Sequence, residues 1–243
     1  MNDRITHQFK DLMQQHHIEV NDVMLEQFET YYQELISWNE RMNLTGITER
    51  EQVYMKHFFD SASLAFFLDM PSFQRVADIG SGAGFPSIPL KIIFPHLQVT
   101  IIDSLNKRIH FLNHLISALG LSNVDAVHAR AEEAGRLTQH REQYDLVTAR
   151  AVARLNVLNE FCLPFVRVGG YFAAMKGTNP QEEIDEAAYS THVLGGKLQH
   201  VHAFRLPVEQ SERHIAVIEK VKQTPKAYPR KPGIPLKQPL VKP

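Results

Sequence analysis

The stretch "ADIGSGAGFPSIPL" puts glycine at positions 80, 82 and 84, directly behind the short apolar run "RVADI". Glycine tolerates positive φ and lets a ligand approach the backbone with no Cβ in the way. Such a loop at the end of a strand reads as a cradle, and a plain tight turn would use the same residues. A dinucleotide fingerprint needs a third glycine at position 85 so that helix and strand pack closely beneath a pyrophosphate. Phe85 stands there. No G-x-x-x-x-G-K-[ST] stretch occurs, which removes a P-loop. What remains is G-x-G-x-G behind the acidic Asp78, the loop expected for S-adenosylmethionine, a cofactor without phosphates. Pro86 suits the first position of a following helix, where its missing N–H costs nothing.

Other residues fall at intervals that extend this site. Asp103 ends the run "QVTIID", and a carboxylate there can accept from both ribose hydroxyls. That function serves NAD and S-adenosylmethionine alike, and an N-cap for the next helix is the plainer alternative. In "ARAEEAG", Ala131 and Glu132 lie where an adenine edge could be read, while Glu132 and Glu133 would equally suit the first turn of a helix. Arg150 follows "YDLVTA" and could hold a carboxylate or a phosphate. His110 and His114 have helical i,i+4 spacing, but Phe111 replaces the glutamate of a zinc-protease motif, so no metal is expected.

These residues need strands and helices to place them. Seven β-type runs follow residue 75: "RVADI", "QVTIID", "VDAVHA", "YDLVTA", "GGYFAAMK", "LQHVHAFRL" and "RHIAVIEKV". Helical segments "SIPLKIIF", "NKRIHFLNHLISALG", "AEEAGRLTQH" and "RLNVLNEFCLPFV" separate the first five. Strands alternating with helices predict an α/β fold with a doubly wound, seven-stranded and mostly parallel sheet. The last two runs are joined by only "PVEQSE" and must pair antiparallel. Ahead of them, residues 1–70 read as a helical lobe, with "VMLEQFETYYQELISWNE" and "EQVYMKHFFDSASLAFFL" in helical period and Thr48–Glu51 as a capping box. Residues 71–223 form the sheet domain, and residues 224–243 a basic, proline-rich tail that is extended unless it docks.

Charge is distributed unevenly. The chain of 243 residues carries a formal net charge of −1, yet from Lys220 onward there are seven Lys/Arg and no Asp/Glu. A basic tail on an acidic body suggests an anionic partner, nucleic acid first. Lys226, Arg230, Lys231 and Lys237, spaced by prolines and Tyr228, suit a semi-rigid strap along RNA phosphates. No run of eighteen apolar residues predicts a membrane span, and the polar opening "MNDRITHQFK" lacks a secretion signal. The single Cys162 fits a reducing cytoplasm and, within "LNVLNEFCLPF", a core position. Nothing suggests an obligate dimer, and a monomer is expected.

The motifs "WNERMNLTG", "HFFDSAS", "DIGSGAGFPSIPL", "DSLNKRIHFL", "RAEE", "YDLVTARAVA", "MKG" and "TPKAYPRKPGIPLKQPL" run in order along nearly the whole chain. Together they resemble the RsmG (GidB) family of bacterial 16S ribosomal RNA guanine-N7 methyltransferases. The resemblance implies a class I, Rossmann-like methyltransferase that uses S-adenosylmethionine and acts on 16S rRNA or the small subunit. It also implies cofactor contacts at Gly80, Phe85, Ala131, Glu132 and Arg150; Gly82 and Asp103 join them from the loop and ribose arguments above. Ser87 and "HFFDSAS" depart slightly from the family's pattern without touching those residues.

The implied chemistry agrees with an absence. Guanine N7 has an in-plane lone pair and no proton, so attack on a sulfonium methyl needs orientation and no general base. No Asn/Asp-Pro-Pro-aromatic motif for exocyclic amines follows the fourth strand, and pyrimidine C5 chemistry would need a cysteine nucleophile. A small-molecule methyltransferase and a non-enzymatic RNA-binding assembly protein are the alternatives. Intact Gly80, Gly82, Gly84, Asp103 and Glu132 argue against the assembly protein, while a small-molecule enzyme would be indifferent to deletion of the tail.

Overall fold

The computed structural model describes residues 3–177 and 180–242; Met1, Asn2, Thr178, Asn179 and Pro243, the outermost residues of the predicted lobe and tail among them, lie outside that range. Helix α1 (Arg4–Gln15) opens on a capping box in which Asp3 accepts from Ile5 and Thr6 N–H. The long α2 (Asp22–Met42) ends at Asn43 in the left-handed conformation. The next helical run is not uniform. It starts as α3 (Arg50–Val53), widens into a π turn over Tyr54–Phe59 and closes as α4 (Asp60–Ala62). The expected capping box at Thr48 does not form. Glu49 caps instead, its carboxylate accepting from Glu51 N at 3.0 Å and Gln52 N at 2.8 Å.

Each predicted strand is present: β1 (Arg75–Ile79), β2 (Gln98–Asp103), β3 (Val124–His128), β4 (Tyr144–Arg150), β5 (Val166–Lys176), β6 (Gly196–Arg205) and β7 (Glu212–Lys220). They form one sheet in the order β3-β2-β1-β4-β5-β7-β6. Only β7 runs against its neighbours, pairing antiparallel with β5 and β6. Between them lie α5 (Ser87–Ile93), α6 (Asn106–Ala118), α7 (Ala131–Ala134) and α8 (Leu155–Cys162). Pro86 sits one residue before the helix it was expected to open, at the N-cap. Helix α9 (Gln181–Val193), between β5 and β6, carries no strong period in the sequence because its buried face is Ile184, Ala187, Ser190 and Thr191, mostly small or polar.

Alternation along the strands divides the core in two. Val76, Val99, Ile101, Leu146 and Val217 face one side and pack with Phe9, Phe28, Tyr31 and Phe58 of the N-terminal helices. Ala77, Val147, Phe172, Ala174 and Ile218 face the other side with α8 and Cys162. The N-terminal helices thus cover one face of the sheet.

Beyond β7 the chain is folded back onto the body. Arg141 donates to the carbonyls of Thr224 at 2.7 Å and Tyr228 at 2.9 Å, and a short helix, α10 (Ile234–Lys237), follows. The tail docks on its own chain, so the condition placed on its order is met from within. Lys220, counted with the tail charges, is wholly buried, donating to Leu163 O and Thr224 Oγ1, and burial lowers its pKa to about 8.

Candidate active site

Beta strand β1 has β2 on one side and β4 on the other, so a crevice opens at the carboxyl ends of β1 and β4 where the connections diverge. The loop after β1 lies in that crevice. Gly80, Gly82 and Gly84 all have positive φ, +74°, +63° and +100°. At Gly82 a Cβ would meet nothing within 4 Å, whereas at Gly84 it would lie 2.8 Å from the Tyr31 hydroxyl. The first is an open cradle and the second a packing contact.

Beneath the loop are polar atoms without partners. Asp78 Oδ2 accepts from Ser87 N at 3.1 Å, while Asp78 Oδ1, Ser81 Oγ and Ser87 Oγ are buried and unbonded. Burial pushes the Asp78 carboxyl up to about 7. Orphaned groups of this kind fit a site that completes itself with a polar ligand.

Asp103 is 2% exposed, and its Oδ2 accepts from Gly82 N and from Arg108, both at 3.2 Å. Its Oδ1 accepts from Leu105 N at 2.9 Å, so the local turn and the link to the loop coexist. Glu132 and Glu133 part company: Glu132 is buried, with Oε1 accepting from Gly233 N at 2.9 Å, while Glu133 faces solvent. Gly80, Ile102, Ala131 and Glu132 share the lining of a cavity of about 170 Å³, joined by Val152, Phe161 and Leu236. Apolar walls with one carboxylate suit an adenine ring whose exocyclic amine donates. The residues therefore fit S-adenosylmethionine.

Arg150, at the end of β4, turns toward the helical lobe. Its guanidinium donates to Asp60 Oδ2 at 2.9 Å and His57 Nδ1 at 3.2 Å, and lies over the Phe85 ring 4.8 Å from its centroid. The His57 ring stacks on the same phenyl, 4.5 Å between centroids. Nδ1 also lies 3.1 Å from the Lys56 carbonyl, and Nε2 is 2.8 Å from Thr45 Oγ1, so both ring nitrogens have polar neighbours. Burial and the Arg150 charge lower the His57 pKa to about 3, so the ring is neutral. Arg213 of β7 approaches the other oxygen of Asp60 at 3.4 Å. Lys56, His57, Asp60, Arg150, Lys176, Glu183, Arg213 and His214 surround a cleft of about 430 Å³, four cations against two carboxylates.

A family model for GidB, rRNA small subunit methyltransferase G, matches residues 24–216. The chain belongs to this family. Membership makes it a methyltransferase of small-subunit ribosomal RNA with S-adenosylmethionine as methyl donor. Ribosomal RNA small subunit methyltransferase G of Bacillus cytotoxicus is 56% identical over 97% of this chain and 98% of its own length. That of Bacillus licheniformis is 55% identical over 96% and 98%. TYW2 of M. jannaschii, solved in complex with AdoMet, shares the fold with a TM-score of 0.51 at 18% identity, over 68% of this chain and 76% of that one.

Of the predicted residues, Gly80, Ala131 and Glu132 meet around one cavity, Gly82 and Asp103 are bonded to each other, and Phe85 lies against Arg150, which lines the cationic cleft. Lys226, Lys231 and Lys237 are exposed on the tail. Arg230 is not free with them: it holds Glu160 of α8 with Nε at 3.0 Å and a terminal nitrogen at 2.7 Å. Sequence reasoning missed His57, Asp60, Lys176 and Arg213 as a group. A signal was available in "HFFDS", where a histidine and an aspartate three residues apart interrupt an apolar helical run. Among the described residues no helix is long and apolar enough to cross a membrane, and no three metal-ligating side chains converge.

Proposed function

We propose that the protein transfers a methyl group from S-adenosylmethionine to N7 of a guanine in 16S ribosomal RNA. The observation that carries this reading is the cleft lined by Lys56, Arg150, Lys176 and Arg213, separate from the cavity around Gly80, Ala131 and Glu132. In this reading Gly80, Gly82, Phe85, Asp103, Ala131, Glu132 and Arg150 hold the cofactor. When bound, the cofactor supplies a methyl carbon made electrophilic by its sulfonium.

What the chain adds is position and charge. Guanine N7 reaches the methyl with its lone pair and releases no proton from that atom, so the cleft needs no base. His57 suits this: neutral, flat against Phe85, it extends the aromatic wall without placing a second cation beside the sulfonium. Asp60 neutralises part of the Arg150 and Arg213 charge and fixes both guanidinium groups. Lys56, Lys176 and Arg213 line the cleft, paired with Glu209, Glu183 and Asp60, and by exchanging those partners are suited to the phosphates flanking the target base. The N7 lone pair must be able to reach into the cleft, which favours a looped or flipped guanine over one stacked in a helix. Lys226, Lys231 and Lys237 extend the contact along the RNA, and the enzyme works as a single chain in the cytoplasm.

The test is methyl transfer from radiolabelled S-adenosylmethionine to small subunits or 16S RNA lacking endogenous modification, followed by mass spectrometric identification of the labelled nucleoside. Label at guanine N7 is expected. Label on another atom or base would reject the N7 reading, and no label with a competent substrate would favour a small-molecule or assembly role.

A further inference from the structure

A basic tail on a ribosomal RNA enzyme invites assignment to RNA, yet its most ordered contacts point the other way. Arg141 grips the carbonyls of Thr224 and Tyr228, and Arg136 donates to Ala227 O at 2.9 Å. Glu142 accepts from Thr224 N at 2.7 Å. Arg230 then clamps Glu160, whose side chain is 1% exposed, through its own backbone N–H at 2.7 Å as well as its guanidinium. These anchors lead the chain across α8 to the mouth of the 170 Å³ cavity.

Two tail residues touch that cavity's residues. The Gly233 N–H donates to Glu132 Oε1 at 2.9 Å, and Glu132 Oε2 makes no hydrogen bond among the described residues. Leu236 is part of the lining, together with Gly80, Ile102 and Ala131, and is 56% exposed. One residue thus fixes the orientation of the carboxylate while leaving its second oxygen available. The other presents an apolar side chain that gains burial when the cavity is filled.

We infer that the segment 233–236 is a wall of the cofactor's adenosine pocket, with Gly233 orienting Glu132 and Leu236 covering the ring. The inference rests on the assignment of this cavity to S-adenosylmethionine. It separates the tail into two parts: a pocket wall anchored by Arg230, and the exposed lysines left for RNA. It also predicts that the wall senses only the adenosine half of the ligand, because neither residue borders the cleft that Arg150 lines.

Calorimetric titration of S-adenosylmethionine and of 5′-methylthioadenosine, which lacks the amino-acid end, tests this without RNA. The full chain is compared with Leu236→Ser and with a chain ending after Lys231; Ala131→Trp, which fills the cavity, and Asp103→Ala serve as references. Shortening should weaken both ligands about tenfold, the equivalent of roughly half a leucine's burial, and Leu236→Ser should weaken both by a smaller factor. Leu236→Ser alters a surface-facing side chain, so its reading stands even if the shortened chain is unstable. Unchanged or tighter binding in the tail variants, with Ala131→Trp and Asp103→Ala weakened, overturns the wall and leaves the cofactor assignment intact. Unchanged binding in Ala131→Trp and Asp103→Ala overturns the cofactor assignment, and the wall with it.

Discussion

The hydroxyl of Tyr31, in the middle of α2, donates to the carbonyl of Ala83 in the glycine loop at 2.6 Å. Both groups are buried, and the Tyr31 ring stacks on Phe85 with centroids 5.3 Å apart. The helical lobe therefore reaches across to hold the glycine loop from behind. Tyr31→Phe keeps the ring but orphans a buried carbonyl, a loss of about 1–3 kcal/mol. Urea denaturation should show that loss. A stability equal to the parent's would mean that the loop holds its shape unaided.

Asp103 joins the end of β2 to the loop through Gly82 N–H and turns its own chain through Leu105 N–H. Asp103→Ala should weaken S-adenosylmethionine binding by about 1–3 kcal/mol, the cost of losing charged hydrogen bonds. Titration calorimetry gives the number directly, and an unchanged affinity would take Asp103 out of the site.

Arg150 makes three kinds of contact at once, an ion pair with Asp60, a hydrogen bond to His57 and a cation–π contact with Phe85. A lysine cannot make all three, since it lacks the planar fork. Arg150→Lys should therefore behave like Arg150→Ala, with kcat/KM for RNA methylation down about 100-fold, as expected for lost alignment of the reacting atoms. Rescue by lysine would show that charge alone suffices there.

His57 makes stability depend on pH. Its folded pKa of about 3 lies well below the usual 6.5. Between those values the unfolded chain takes up a proton that the folded chain refuses. The contribution is complete above about 6.5 and is lost as pH falls toward 3, with a slope approaching about 1.4 kcal/mol per pH unit. His57→Gln should flatten that part of the curve in denaturant titrations between pH 7 and pH 4.

Arg230 and the tail lysines should separate cleanly. Arg230→Ala strands the buried Glu160 and should cost about 2–3 kcal/mol of stability, between an exposed and a fully buried pair. Replacing Lys226, Lys231 and Lys237 together with alanine should instead leave stability nearly unchanged and flatten the salt dependence of RNA binding. An unaltered salt slope would show that these lysines do not meet phosphate.

Most of the scaffold is legible in the chain because parallel strands buried on both faces read as short apolar runs. Helix α9 escapes this reading because its inner face is small and polar, and a wide π turn inside "EQVYMKHFFDSASLAFFL" gives no compositional sign. The residues proposed to hold the cofactor lie in compact motifs, most of them at or just beyond the end of a strand, and such spacing can be read by counting. The cleft is different. Asp60 meets Arg150 and Arg213 from three elements, across separations in the chain that no local pattern spans. Arg230 shows the limit of a charge count: its partner, Glu160, lies within the apolar-looking "LNVLNEFCLPF", and only the fold brings the two together.

The insertion of β7 between β5 and β6 has a bearing on how the molecule assembles. Strand β5 is an inner strand only once β7 has arrived, and β6, made earlier, has no strand to lie beside until then. During synthesis the apolar stretch Phe172–Met175 therefore waits as an open edge. Unpaired edges of that kind recruit other chains. Pairing β5 with β7 also closes a loop that contains α9 and β6, a slow step by its length. Fragments that stop before Glu212 should collect in aggregates, while the complete chain escapes by a single late strand insertion.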